Sequence, residues 1–170
     1  MLISTQLPIG TTALLERQRN DVNFVCAPEY FRRGQMSHGF CDPSIIVLGV
    51  RAYIERARII SLYPESLQER MLWMSPESAE MSKHAINSFL ATSITFANEM
   101  ARLCACAGAQ YADVERVLRH DQRIGERAYV ASGKADGTHL LRDLRYLREH
   151  VGGYQSQLID LIIDSWQFPE

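Results

Sequence analysis

The sequence lacks a surplus of basic residues: across 170 residues, 18 Lys and Arg face 20 Asp and Glu, a formal net charge of −2. Neutralising phosphates requires the opposite balance, so a nucleic-acid binder is excluded as the default reading. No stretch approaches the ~18 apolar residues that a membrane span needs. The start, Met1-Leu2-Ile3-Ser4-Thr5, has neither the basic opening nor the apolar run of a signal peptide, which predicts a cytoplasmic protein. Cysteine is scarce: Cys26, Cys41, Cys104 and Cys106 read as reduced thiols in that compartment. On a helix the sulfurs of Cys104 and Cys106 point about 200° apart, too far to share a zinc ion, so no metal is expected. No repeat or low-complexity segment interrupts the chain. What remains is 46% hydrophobic and 22% charged, an ordinary globular composition with enough length for one full domain.

The first sixty residues read as strands alternating with helices. Met1 to Gln6 is β-prone, and Thr11 or Thr12 is placed to cap a helix reaching Arg19. Val22–Cys26 and Ser44–Gly49 are short apolar runs that fit buried strands. The spacing of Ile54, Ala57 and Ile60 predicts a helix from Ala52 to Tyr63. Such alternation points to a parallel βαβ layout, incomplete as a sheet of its own. Ser75-Pro76-Glu77 combines a capping hydroxyl, a proline at the first helical position and an acid on the positive end of the dipole. It opens a helix that runs to Ala107 and ends at Gly108. Helices over 111–118, 140–150 and 154–165 follow. The expected class is α+β, mainly helical, with residues 1–70 as a partial α/β unit and 71–170 as a helical domain. A helix of this length, with Phe89, Ile94, Ala97 and Met100 along it, predicts a homodimer built on residues 76–107.

Several segments together resemble one family. Ser4–Thr11 resembles the S-T-V-P-x-G-T turn of the UDP-glucose/GDP-mannose dehydrogenases, and Ala27–Gly34 resembles their N/A-P-E-F-L-R-E-G. Ser44–Gly49 fits the P-x-R-V-V-I-G strand, and Ser78–Thr92 follows A-E-L-x-K-Y-x-x-N-x-F-L-A-T. Phe96–Glu99 matches F-x-N-E, and Asp121–Gly125 matches D-x-R-I-G. The resemblance implies the end of a Rossmann-like NAD-binding domain (residues 1–70) followed by a central dimerisation domain (71–170). It also implies that Thr5, Glu29, Lys83, Asn87 and Asp143 serve the reacting carbon of a sugar, with Tyr30, Arg33 and Arg142 as ligand-binding residues.

The departures are equally specific. No Gly-x-Gly-x-x-Gly occurs, so no self-contained NAD site is expected, and NAD would need a partner domain. Counting without gaps from Gly125, the family's catalytic Cys falls on His139, its Lys on Arg142 and its Asp on Asp143, while Arg33 stands where the family has a second Glu. An imidazole cannot form the family's thiohemiacetal.

Lys83 and Asn87 share one face of an otherwise apolar helix. They read either as a costly buried Lys paired by Glu29, Glu80 or Asp143, or as a snorkelling Lys beside a structural Asn. His139 and Asp143, four apart with Thr138 as helix cap, read either as an oriented acid/base pair or as an exposed contact. Arg142, Arg145 and Arg148 form a basic side of that helix, a solvated face or a phosphate contact. His84, His120 and His150 read as structural or surface residues, and Trp73 and Trp166 as packing anchors.

Three functions follow. The first is a sugar or nucleotide-sugar-like ligand handled by non-redox acid/base chemistry, which leans toward an enzyme without a cofactor of its own. The second is a non-catalytic dimerisation partner of a full-length dehydrogenase. The third is a dehydrogenase completed by another chain.

Overall fold

A computed structural model describes residues 1–30, 41–133, 137–150 and 153–166. Four strands form one sheet in the order β1 (Leu2–Ile3), β2 (Val25–Cys26), β3 (Ile46–Gly49) and β4 (Met71–Met74). The helices are α1 (Thr11–Gln18), α2 (Arg56–Ile60), α3 (Glu65–Gln68), α4 (Pro76–Cys106), α5 (Tyr111–His120), α6 (Thr138–His150) and α7 (Gln157–Ser165). The class is α+β and mainly helical. The chain divides into two compact units, Met1–Lys83 and His84–Glu170, with the division inside α4.

In the first unit, β1 runs parallel to β2 and β3 runs parallel to β4, but β2 and β3 are antiparallel. The all-parallel layout expected from the alternation is thereby corrected. Hydrophobic alternation reports which faces are buried and is silent on the direction of a neighbour. Strand β3 is buried on both faces. Ile46 and Leu48 pack with Val25, Ala27, Ile59, Leu67 and Met71, while Val47 joins Cys26 and Ala79 on the other side. A Cβ on Gly49 would lie 2.6 Å from the Ala79 Cβ and 2.8 Å from the Pro76 Cα. Only glycine lets the end of β3 approach the first turns of α4 so closely. Burial pushes the Cys26 thiol up to about 12, which keeps it protonated and inert.

The hydroxyl cap expected at α1 is replaced by a carboxylate. At α1 the N-cap is Gly10, at φ 88°, with no side-chain cap bond. The carboxylate of Glu80, 1% exposed, takes that role from α4. Its Oε2 accepts from the Gly10 amide at 2.6 Å, and its Oε1 from the Thr12 amide at 2.7 Å and the Thr12 hydroxyl at 2.6 Å. Thr138 is not a cap either, because it is already the first helical residue of α6. At α4 the cap stands as expected, with the Ser78 amide donating to Ser75 Oγ at 3.2 Å. Arg51 adds a tie between α1 and α4, binding Glu16 and Glu77 at 2.7 Å each. Beside it the Glu77 carboxyl is held below the usual carboxylate range.

In the second unit, Ala91 and Ile94 of α4 pack with Leu140 and Leu144 of α6 and with Ile162 and Ile163 of α7. Trp166 anchors this core: its Nε1 donates to Thr95 Oγ1 at 2.8 Å, and its ring lies where a Cβ on Gly137 would come within 2.0 Å. Helix α4 closes in a Schellman turn, with Gly108 at φ 70° and the Ala109 amide donating to the Cys104 carbonyl at 2.8 Å. The expected stripe of Phe89, Ile94, Ala97 and Met100 splits in two. Ile94 and Ala97 are buried, whereas Ile86 (41% exposed), Phe89 (69%), Phe96 (46%) and Leu103 (52%) form an uncovered row.

Candidate functional site

The implied site residues fall in both units, and each group has its own geometry. In the first unit, Ser4 lies just past the end of β1, and its Oγ donates to Glu29 Oε1 at 3.1 Å. Glu29 is half-buried and, with Ser4, Tyr30, Cys41 and Tyr63, borders a cavity of about 440 Å³ whose other walls are aliphatic. Thr5 is exposed. Lys83 is half-buried rather than buried, with its Nζ 5.2 Å from the centroid of the Tyr30 ring. The Tyr30 hydroxyl is hydrogen-bonded to Ser82 Oγ, and burial holds its phenol above the ordinary tyrosine range. Arg33 lies outside the described residues.

The second unit holds a buried polar pair. Asn87 Nδ2 donates to Asp143 Oδ2, and both residues are almost fully buried, at 4% and 2% exposure. The other carboxylate oxygen accepts from Arg142 Nε at 3.1 Å and Nη2 at 3.0 Å. The Arg142 side chain is itself 68% exposed, so this pair reaches from the interior to solvent. His139, one turn earlier on α6, is half-buried. Its Nδ1 is buried without a hydrogen-bond partner among the described residues. The expected Asp143-oriented imidazole is therefore not made through Nδ1; Asn87 and Arg142 take the carboxylate instead. A buried ring nitrogen left unsatisfied is costly.

The strongest signal missed is Glu80. Its place among apolar residues of α4 was visible, but its partners lie some seventy positions upstream. His84 is also buried, stacked on Tyr146 at 5.0 Å, and Tyr146 stacks on His150 at 4.4 Å, which fits a structural role. No helix among the described residues is long and apolar enough to cross a membrane.

Comparison with known proteins matches residues 77–165 to the central domain of the UDP-glucose/GDP-mannose dehydrogenase family. The UDP-glucose 6-dehydrogenase of Pseudomonas aeruginosa is 34% identical over 167 residues, covering 90% of this chain and 37% of that protein. A UDP-glucose dehydrogenase from the archaeon Pyrobaculum islandicum superposes with a TM-score of 0.79 at 27% identity, over 96% of this chain and 40% of that one. The UDP-D-ManNAc dehydrogenase of Pyrococcus horikoshii reaches 0.81 at 21% identity, with the same coverage, 96% and 40%, a likeness of fold. The chain thus spans well under half the length of these relatives.

Proposed function

Because the chain belongs to the UDP-glucose/GDP-mannose dehydrogenase family, we propose that it binds a sugar or nucleotide-sugar-like ligand in the cytoplasm. On that ligand it performs non-redox proton transfer, such as epimerisation, elimination or hydrolysis. The observation that carries this reading is the buried Asn87–Asp143 pair beside an imidazole with an unsatisfied Nδ1. In the first unit Lys83 stabilises an anionic oxygen and Glu29 moves a proton; in the second His139 moves a proton and Asp143 with Asn87 orients the ligand or a water. Thr5 serves the edge of the site, while Arg33 and Arg142 bind the ligand.

The N-terminus of α1, where a phosphate would meet free amides, already holds the Glu80 carboxylate. No step is therefore routed through NAD.

The test is a thermal shift with UDP-glucose, GDP-mannose and the free sugars. A ligand at 100 times its Kd adds about 2.7 kcal/mol, which raises Tm by roughly 5–10 °C at this chain length. Lys83→Ala and His139→Ala variants are expected to melt normally alone and to lose that rise. Unchanged melting of the parent with every sugar, or steady NADH production from either nucleotide sugar, overturns the reading.

A second reading, a dimerisation module with residues 71–170 as its dimer-forming domain and 1–70 as the remainder of a Rossmann-like domain, is favoured by the row Ile86, Phe89, Phe96 and Leu103. Aromatic and aliphatic groups so aligned and uncovered are a surface for a second copy of this chain. Sedimentation is expected to show a dimer at micromolar concentration, and a Phe89→Glu/Phe96→Glu double variant a monomer. A compact monomer of the parent chain ends the dimer.

A further inference from the structure

Tyr30 is held at two points by one turn of α4. At its tip the hydroxyl meets Ser82 Oγ, and across its face lies the ammonium of Lys83, the next residue, at 5.2 Å from the ring centroid. Ser82 has one proton, and it goes to the Ala79 carbonyl at 2.7 Å, so Ser82 accepts and Tyr30 donates. The phenol proton is thereby committed to the helix and is not offered to a ligand. Burial, the first cause of its upward shift, keeps the ring neutral near pH 7, with an unperturbed π-face toward the cation.

From this geometry we propose that Tyr30 is a positioning residue for Lys83: the Ser82 bond sets the ring, and the ring sets the ammonium. A lysine on a four-carbon stem has many rotamers, and its charge works on an anionic oxygen only where it is held. An aromatic face attracts the ammonium without neutralising it. The ligand-binding role implied for Tyr30 is thus replaced by an indirect one, which rests on the reading of Lys83 as the group that meets that oxygen.

The chain has two lysines, Lys83 and Lys134, so protein grown with ¹³C-lysine gives two ε-methylene signals, assigned by a Lys83→Arg variant. Without any ligand, the Lys83 signal is expected to be displaced upfield by the Tyr30 ring current. Tyr30→Phe and Ser82→Ala, which remove the same hydrogen bond, each reduce the displacement, and Tyr30→Leu abolishes it. Absence of the displacement in the parent, or its persistence in Tyr30→Leu, overturns the proposal. Should Tyr30→Leu fail to fold, Ser82→Ala decides alone: an unaltered signal there overturns the chain of contacts. UDP-glucose is then titrated by thermal shift. Binding about tenfold weaker in Tyr30→Leu and partly rescued in Tyr30→Phe supports the role, and equal binding in all three overturns it. A parent that binds no nucleotide sugar while showing the ring-current shift refutes the ligand reading and leaves the contact established, so the two failures are distinct.

Discussion

Replacing Glu80 with alanine is expected to lower stability by about 3–4 kcal/mol, the largest effect of any single polar substitution considered. The carboxylate satisfies three donors, the Gly10 and Thr12 amides and the Thr12 hydroxyl. Each buried donor left without a partner costs about 1–3 kcal/mol, partly offset where water enters. An anion is also lost from a helix N-terminus. Because Thr12 is itself fully buried, solvent reaches this turn poorly. Glu80→Gln should cost less, about 1–2 kcal/mol, since its oxygen still accepts from Thr12 while its NH₂ opposes the Gly10 amide. Urea unfolding followed by circular dichroism measures both. An alanine variant within about 1 kcal/mol of the parent, less than one lost buried bond, refutes the capping role.

The second large effect is expected at Asp143. Truncation to alanine strands the Asn87 amide, 4% exposed, and leaves Arg142 to rotate into water, with a loss of about 2–3 kcal/mol. Asp143→Asn keeps the shape, and a flipped amide still pairs with Asn87, so about 1 kcal/mol is expected. The contrast is useful because the asparagine variant preserves the fold while removing the charge. If the proposed ligand needs that carboxylate, Asp143→Asn retains its melting temperature within a few degrees and loses the ligand-induced rise. A rise equal to that of the parent shows that the charge is structural. Arg142→Ala, truncating the exposed partner, should cost no more than about 1 kcal/mol.

What could be read from the amino acids alone follows the range of the interactions involved. Helix α4 was legible within two residues at its ends, because Ser75, Pro76 and Gly108 act on neighbouring backbone. Strand β3 was legible because its apolar run is continuous. Strand β4 was not: Met71, Leu72, Trp73 and Met74 contain no β-branched residue, and their pairing with Ile46–Gly49 is a tertiary fact. The helix expected over 52–63 shrinks to Arg56–Ile60, since periodicity continues through a stretch whose backbone is turn. The α4 stripe was read as one surface, yet Ile94 points into a core and Phe89 away from it. Only the residues packed from α6 and α7 separate the two.

Among the site residues, the family motifs singled out Lys83, Asn87 and Asp143. The Asn87–Asp143 contact joins residues 56 positions apart, which no local rule reaches. Asp143 was read as orienting His139, whereas it accepts from the Asn87 amide and the Arg142 guanidinium.

The Glu80–Gly10 contact also sets an order of events. The carboxylate that completes the turn at the start of α1 is made 70 residues after that turn. At roughly 5–20 residues per second, that is a wait of several seconds or more on the ribosome. Through that interval α1, eight residues long, is too short to persist on its own. The nascent α1 segment must therefore remain unfinished until α4 emerges, and a chaperone or a partner chain has that window in which to engage it.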